Sequence, residues 1–212
     1  MKEKQRMRLC AAGSLLLAFA LWTWAVCRMD VQPIGPQGSA VGLAPLNGAF
    51  HSMTGVHMAL YTLTDWLSLV PFVIMTGFAL LGLAQWIGRR RLMRVDRDIL
   101  ALGGFYAAVL AAYALFEKLA VNYRPVLIGG RLEASYPSST TLLVLCVMPT
   151  AMMQLHRRMQ GGKTRRCMLS AMAAFTAFMV MARLLSGVHW LSDIIGGALL
   201  SAGLVLLYAA AL

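Results

Sequence analysis

Six apolar stretches, each long enough to cross a lipid bilayer, alternate with polar segments along the 212 residues of the chain. A helix needs about 20 predominantly apolar residues to span the hydrocarbon core of a bilayer. The pattern predicts an all-α, polytopic membrane protein with a single six-span domain over residues 1–212, because only helices and closed barrels satisfy their backbone hydrogen bonds inside lipid. The predicted spans cover residues 9–27, 67–87, 99–119, 138–155, 168–185 and 190–212.

Local signals add detail to this layout. The longest connection runs from Arg28 to Tyr61, and its mildly amphipathic second half predicts a segment along the membrane interface. The residues Thr62 to Asp65 resemble a capping box, so we expect the second helix to begin there and Pro71 to bend it. The last span has a small-residue face that predicts close packing against another helix, formed by Gly196, Gly197, Leu200, Ser201 and Gly203.

Composition supports a membrane protein. The chain is 59% hydrophobic and 13% charged, with a mean hydropathy of +0.70, whereas soluble domains contain about 25% charged residues. The net charge of +11 would fit nucleic acid, but its distribution favours membrane topology, and we expect no nucleic-acid partner. The four cysteines have no paired spacing, so neither a disulfide framework nor a metal site is predicted.

The distribution of basic residues predicts which side of the membrane each connection faces. With the N-terminus inside, the cytoplasmic segments contain 14 of the 19 Lys and Arg residues. The remaining five are external: Arg28, Lys118, Arg124, Arg131 and Arg183. Cytoplasmic loops are enriched in Lys and Arg, so the count favours an N-inside orientation in the plasma or inner membrane. The same orientation places these cations at the outer membrane face, together with His189 and Asp193.

Ionisable residues cluster in that connection, from Arg183 to Asp193. His189 and Asp193 are four residues apart, so a helix that begins near Gly187 would place them on one face, a turn apart. The carboxylate can then fix the tautomer of the imidazole and stabilise its cationic form, and the Arg183 guanidinium suits a phosphate. The alternative is ordinary boundary chemistry, in which the arginine extends towards the interface and the aspartate caps a helix.

A second polar group, Tyr136 to Thr141, begins the fourth span on the same side. Hydroxyl groups and free amides at a helix N-terminus form an anion site, because those amides lack helical partners and the helix dipole is positive there. A Ser or Thr N-cap after a proline explains the same residues without a ligand.

Three elements in this order resemble the motifs of the type-2 phosphatidic acid phosphatase superfamily, which is related to the vanadium haloperoxidases. The third motif matches at Arg183, His189 and Asp193 with the family's spacing, although Ala182 replaces the serine before the arginine. The six-span layout fits the membrane branch of that family.

The second motif matches only in part. Pro137 and Ser138 agree with the family, Ser139 takes the glycine position, and Thr140 stands where the family has a histidine. The first motif is also incomplete.

The first motif matches at Arg124 and Pro125. Its lysine position, seven residues before the arginine, is occupied by Glu117, and Lys118 follows one residue late. A helix rotates about 100° per residue, so Lys118 reaches the phosphate only if its flexible stem compensates.

The resemblance implies a lipid phosphatase or diphosphatase that requires no metal and no cofactor. His189, oriented by Asp193, would attack phosphorus and form a phosphohistidine that water hydrolyses. Arg124, Arg183 and the Ser138 hydroxyl would neutralise charge on the phosphoryl oxygens. The expected partner is a lipid phosphate or diphosphate substrate in the membrane, bound at the outer or periplasmic face.

The missing histidine leaves the predicted site without a proton donor, since the alcohol of Thr140 is too weak an acid near neutral pH. This favours lipid diphosphates, whose leaving phosphate departs unprotonated. Alternatively, the protein is a catalytically silent family member that binds lipid head groups or protein partners. A small transporter is a third possibility, although no inverted repeat is evident. We expect His51 and His57 to be interfacial polar residues, and the sequence leaves open whether either folds over the site.

Overall fold

The structure of the protein, a computed structural model, describes residues 3–212, and this part of the chain folds entirely into helices and irregular connections. The α-helices are α1 (Glu3–Arg28), α2 (Ala44–Thr54), α3 (Met58–Leu67), α4 (Leu69–Arg89), α5 (Arg97–Leu119), α6 (Ser139–Arg158), α7 (Lys163–Leu185) and α8 (Leu191–Ala211). With α3 and α4 taken as one segment, six segments of the described chain are long and apolar enough to cross a membrane. The predicted all-α, six-span architecture is confirmed.

Several helices extend beyond the apolar runs that predicted them. α1 begins at Glu3 rather than at residue 9, α6 continues to Arg158, and α7 begins at Lys163 rather than at residue 168. Lys and Arg are good helix formers whose long stems lie along apolar surface, so the helix continues after the apolar run stops. Lys2, counted above among the basic residues, lies outside the described residues.

The second span begins earlier than predicted, and the predicted capping box is wrong. The segment from Thr62 to Asp65 lies inside α3, where the Thr64 hydroxyl donates to the Leu60 and Tyr61 carbonyls. The helix is interrupted at Ser68, between α3 and α4. Pro71 lacks the N–H that would bond to the residue four positions earlier, which places the interruption one turn before the proline.

α6 is the central helix of the bundle. It packs against α4, α5, α7 and α8 and is the most buried of the six spans. α1 lies along α8, where Gly203 leaves only enough space for the Leu16 side chain. Gly196 likewise lies directly under the Tyr136 ring. The predicted small-residue face of the last helix therefore packs against its neighbours, as expected.

α2 packs against the start of α8 through the fully buried side chain of Asn47. The Asn47 amide donates to the Gly42 carbonyl at 2.8 Å and to Ser192 Oγ at 2.9 Å, and it accepts the Ser192 N–H at 3.0 Å. The interfacial segment predicted for this connection is thus a helix fixed to the bundle, and its hydrogen bonds set the position of the α8 N-terminus.

The basic segments meet at one end of the bundle, which we call the basic end. Arg8 of α1 donates to the Ala209 carbonyl near the end of α8. Arg158, the last residue of α6, pairs with Asp98 at 2.8 Å at the start of α5. The N-termini of α6 and α8 lie at the opposite end, so the motif residues are separated from the basic segments by the length of the bundle.

Candidate active site

His189 lies in the connection between α7 and α8, outside any helix, so the helix considered from Gly187 does not form. α7 ends at Leu185 and α8 begins at Leu191, two residues after the imidazole. The connection turns at Gly187, which has a φ of +69° and where a Cβ would collide with the Gly55 carbonyl oxygen. A left-handed conformation with such a close neighbour requires glycine. This turn interrupts the helical path before His189.

Asp193 nevertheless contacts His189, because its carboxylate folds back over the first turn of α8. Its Oδ2 atom accepts the Trp190 N–H at 2.9 Å and lies 3.6 Å from His189 Nδ1. Its Oδ1 atom accepts from Asn122 Nδ2 at 3.4 Å. The helix-capping role and the imidazole contact, which the sequence presented as alternatives, therefore occur together. The 3.6 Å separation is an electrostatic contact, longer than a hydrogen bond.

Arg124 faces the other nitrogen of the same imidazole. Its Nη1 atom lies 3.2 Å from His189 Nε2. A guanidinium can only donate, so Nε2 is the acceptor and Nδ1 carries the proton in this geometry. Burial, followed by the charges of Arg124 and Arg183, lowers the pKa of His189 well below its usual value. The imidazole is therefore neutral near pH 7, with its lone pair on Nε2.

The connection between α5 and α6 positions Arg124. It folds back on itself through two antiparallel bridges. The Arg124 N–H donates to the Glu133 carbonyl at 3.0 Å, and the Glu133 carboxylate forms an ion pair with Arg124 Nε at 3.1 Å. Trp190 Nε1–H donates to the Tyr123 carbonyl at 2.7 Å. This last bond ties the residue before Arg124 to the residue after His189.

Arg183 is buried near the end of α7, and α3 surrounds its guanidinium. Nη1 donates to Thr64 Oγ1 at 3.0 Å, and Nη2 lies 3.5 Å from Asp65 Oδ1. Its Cζ atom lies over the Tyr61 ring, 4.8 Å from the centroid, and the Cζ atom of Arg124 lies 5.9 Å from the same centroid. These three α3 residues were missed by the sequence analysis. Their spacing of three and four residues, which gives one polar face to an apolar helix, is the signal that could have identified them.

Ser138 is the N-cap of α6. Its Oγ atom accepts from the Thr141 hydroxyl at 3.1 Å, and its N–H donates to the Asp193 carbonyl at 3.1 Å. The second bond joins the start of α6 to the start of α8. The N–H groups of Ser139 and Thr140 have no partner within the helix, because they belong to its first turn. The expected phosphate contact of Ser138 stays a prediction, and it is limited to the hydroxyl because the amide is occupied.

Glu117 and Lys118 differ from the other residues of the predicted site in their exposure. Both side chains are exposed near the end of α5, whereas Arg124 and His189 are buried. Glu117 lines a narrow crevice with Tyr136. The structure shows nothing that holds Lys118 towards the imidazole, and its contact with phosphate stays a prediction. Thr140 is buried in the first turn of α6, and an alcohol at this position supplies no acid.

The first connection folds back over the segment that carries His189. The ring centroids of His51 and Trp190 are 5.4 Å apart, and burial lowers the pKa of His51. The His57 N–H donates to the Ser186 carbonyl at 2.9 Å, while the His57 side chain is exposed. The sequence left open whether His51 or His57 folds over the site. In the structure the His51 ring lies beside Trp190, whereas His57 contacts the segment before His189 through its main chain.

Three buried nitrogen atoms of the motif residues have no hydrogen-bond partner among the described residues: Arg124 Nε, Arg183 Nε and His189 Nδ1. The ion pair with Glu133 is too poorly aligned to satisfy Arg124 Nε. A buried donor left unpaired costs about 1–3 kcal/mol, so a group of them requires an explanation. The two arginine Nε–H groups match an anion with several acceptor oxygens, whereas His189 Nδ1 faces the Asp193 carboxylate at 3.6 Å. Residues 3–212 contain no group of three or more His, Cys, Asp or Glu side chains arranged to hold a metal ion.

Known proteins share this arrangement of helices. The family model described as the PAP2 superfamily matches residues 101–212, more than half of the chain and all three motif segments. The fold is similar to the crystal structure of a transmembrane PAP2 type phosphatidylglycerolphosphate phosphatase from Bacillus subtilis, with a TM-score of 0.57 and 17% identity over 94% of this chain and 93% of that one. No curated protein matches this sequence. At such low identity the solved structure shows the fold alone. The family match, together with the ordered motifs and the six spans, shows that the chain belongs to the PAP2 superfamily, in its membrane branch.

Proposed function

We propose that this protein is a membrane lipid phosphatase that hydrolyses a lipid phosphate or diphosphate through a phosphohistidine formed at His189. Membership of the PAP2 superfamily supports phosphatase chemistry at the family level. The observation that carries the proposal is the pair of buried, unpaired Nε–H donors on Arg124 and Arg183, with Arg124 Nη1 3.2 Å from the His189 Nε2 lone pair. Phosphoryl transfer depends chiefly on positioning and on neutralising oxygen charge, and such donors supply both.

In the first step, the lone pair on His189 Nε2 attacks phosphorus, a P–N bond forms, and the bond from phosphorus to the leaving oxygen breaks. Nδ1 keeps its proton, and the ring becomes a cation that the Asp193 carboxylate, 3.6 Å from Nδ1, stabilises. In the second step, a water oxygen bonds to phosphorus and the P–N bond breaks. Inorganic phosphate leaves, the water proton passes to solvent, and the neutral imidazole is restored.

The two arginines have different roles in this proposal. Arg124 Nη1, 3.2 Å from Nε2 in the free protein, turns from the imidazole to a phosphoryl oxygen as substrate binds. Arg183 contributes its unpaired Nε–H, and the free amides at the start of α6 contribute the positive end of a helix dipole. Once Arg124 has turned, these donors offset the charge on the non-bridging oxygens and need no further reorganisation during the reaction.

Thr140 favours a diphosphate substrate. A monoester expels an alkoxide, whose conjugate acid has a pKa comparable to that of water, about 16. A lipid diphosphate that loses its terminal phosphate expels a phosphate monoester, whose second pKa is about 6. The second group leaves near neutral pH without a proton from the protein. A polyprenyl diphosphate is an example of this substrate class.

We place the site at the outer face of the plasma or inner membrane. Fourteen of the 19 basic residues belong to the segments assigned to the inside, and the motif residues lie at the end of the bundle opposite Arg8 and Arg158. The positive-inside rule therefore directs His189 outwards.

The test is phosphate release from a panel of lipid phosphates and diphosphates by purified protein in nanodiscs. We expect turnover by the wild type and none by His189→Ala. Turnover that survives in His189→Ala contradicts the mechanism. The absence of an acid at Thr140 also favours a second candidate, a silent binder of lipid head groups. Wild-type protein that binds these lipids and hydrolyses none of them would support that candidate instead.

A further inference from the structure

α3 lies outside residues 101–212, the region matched by the family, yet it contacts both arginines of the site. The ring of Tyr61 is the shared contact. The Cζ atoms of Arg183 and Arg124 lie over it, 4.8 Å and 5.9 Å from its centroid. No other aromatic ring in residues 3–212 has an arginine over its face.

Each arginine also has partners of its own. Arg183 is held by Thr64 Oγ1 at 3.0 Å and by Asp65 at 3.5 Å, both on α3. Arg124 is held by Glu133 at 3.1 Å, on the connection between α5 and α6. These contacts fix each guanidinium to a different part of the fold, and none of them joins one arginine to the other.

We propose that Tyr61 is a positioning residue whose ring holds Arg124 and Arg183 at the spacing that one phosphoryl group requires. This inference rests on the proposed phosphatase function. Two permanent cations repel each other, and the repulsion is strong in a buried site where water screens little. The negative face of an aromatic ring attracts a guanidinium, so one ring shared by two guanidiniums opposes that repulsion without neutralising either charge.

A carboxylate at this position would act differently. It would neutralise the cations and occupy the N–H groups that the phosphate needs. The ring makes no hydrogen bond with the guanidinium N–H groups, and the Nε atoms of both arginines remain unpaired. The site therefore keeps two guanidiniums next to each other before substrate arrives, and each combines one ion-pair partner, Glu133 or Asp65, with an Nε–H group that has no hydrogen bond.

The role of the ring face can be separated from the other features of Tyr61. Tyr61→Phe keeps the face and removes the hydroxyl, whereas Tyr61→Leu removes the face and keeps an apolar side chain. The Tyr61 carbonyl, 3.5 Å from Arg183 Nη1, is unchanged in both variants. Leu63→Ala, at a 48% exposed position of the same helix, is the matched control.

The experiment measures KM and kcat of the four proteins with the lipid phosphate or diphosphate that the wild type hydrolyses best. For Tyr61→Leu we expect KM to rise about tenfold, equivalent to about 1.4 kcal/mol, with a smaller change in kcat, because the phosphate is already charged in the ground state. Tyr61→Phe should stay within about twofold of the wild type in both constants, as should Leu63→Ala. A wild-type KM in Tyr61→Leu, or equal losses in Tyr61→Leu and Tyr61→Phe, overturns the proposal.

A binding measurement keeps this inference distinct from the phosphatase proposal. Titration calorimetry with inorganic phosphate is run on the same four proteins. If the wild type turns over no substrate but binds phosphate, and Tyr61→Leu binds it about tenfold more weakly, the phosphatase proposal fails and the positioning role stands. If the wild type neither turns over substrate nor binds phosphate, there is no phosphate site to position and both proposals fail.

Discussion

His189 Nε2 lies 3.2 Å from Arg124 Nη1, so a permanent cation faces the nitrogen whose lone pair the proposed chemistry needs. The contact has two effects. It fixes the proton on Nδ1, next to Asp193, and it opposes protonation of Nε2. Both effects keep the imidazole in its nucleophilic form before substrate binds, and both can be measured without substrate.

The pKa of His189 should therefore lie below about 6.5, the ordinary value for histidine. The lone pair is then available throughout the neutral range and is lost only as the pH falls through the lowered pKa. Arg124→Gln removes a cation that lowers this pKa, so the titration should move to higher pH. Nitrogen-15 NMR of the four histidines in nanodiscs measures this, with the signal of His189 identified by its loss in His189→Gln. Titration of His189 at or above pH 6.5 in the wild type would contradict the structure.

In the proposed mechanism Asp193 orients the imidazole and does not attack phosphorus, so its removal should leave a trace of activity. We expect Asp193→Asn to lose on the order of 10³- to 10⁴-fold in kcat, by analogy with the aspartate that orients histidine in serine proteases. The double variant with His189→Ala should be no worse than His189→Ala alone, since the two residues act as a unit. His156→Ala, at an exposed position of the basic end, is the control. Full activity in Asp193→Asn would remove the carboxylate from the mechanism.

The missing proton donor predicts a selective gain of function. Thr140→His should raise the turnover of a lipid phosphate monoester by about tenfold or more, because general acid catalysis contributes about 10²–10⁴-fold when the donor is well placed. Turnover of a lipid diphosphate should change little, because its leaving group needs no proton. The ratio of the two rates, measured in the same preparation, is the readout. A wild type that already hydrolyses phosphatidic acid as fast as a diphosphate has another acid, and His51 and His57 are the first candidates.

The proposed outward orientation of the site predicts opposite labelling at two exposed methionines. Met53 on α2 is 83% exposed at the end that carries the motifs, and Met93 is 88% exposed in the connection between α4 and α5, at the basic end. In a background without the exposed cysteines at positions 10, 27 and 167, Met53→Cys should react with an impermeant thiol reagent in intact cells. Met93→Cys should react only after lysis. The reverse pattern would place the motif residues inside the cell.

Asn47 should contribute strongly to stability, although it is remote from the proposed chemistry. Asn47→Ala leaves the Ser192 N–H and the Gly42 carbonyl without the partners that the amide supplies. An unsatisfied buried group costs about 1–3 kcal/mol, so the unfolding midpoint of purified protein should fall by several degrees. Ser52→Ala, at an exposed position of the same helix, is the control and should leave the midpoint unchanged. A midpoint for Asn47→Ala equal to that of the wild type would show that this network is dispensable.

The features that could be predicted from the sequence are those that depend on one continuous segment. The six spans follow from the length of the apolar runs, and the contact of His189 with Asp193 follows from a local spacing. The helix considered for that contact does not form, because the chain turns at Gly187 against Gly55, which is distant in the sequence. A local pattern cannot show which main-chain oxygen will occupy the space beside a glycine.

The contacts of α3 with Arg183 also could not be predicted from a local sequence pattern. Thr64 and Asp65 have the residue types of a helix start, and only the fold shows that they lie inside a helix that faces a buried arginine. Membrane helices have few polar residues, so a polar group on an apolar helix indicates a partner elsewhere in the bundle. The identity of that partner, Arg183, required the packing of α3 against α7.

Two main-chain contacts join the segment carrying His189 to the connection between α2 and α3: Gly187 lies against Gly55, and the His57 N–H donates to the Ser186 carbonyl at 2.9 Å. Peptide groups cannot be trimmed, extended or recharged by substitution. At these contacts, the separation between α3, which holds Arg183, and the segment that carries the imidazole is therefore set by peptide groups. Variants selected for a different substrate should consequently accumulate changes on α3 and on the connection that carries Arg124. They should leave Gly55 and Gly187 unchanged.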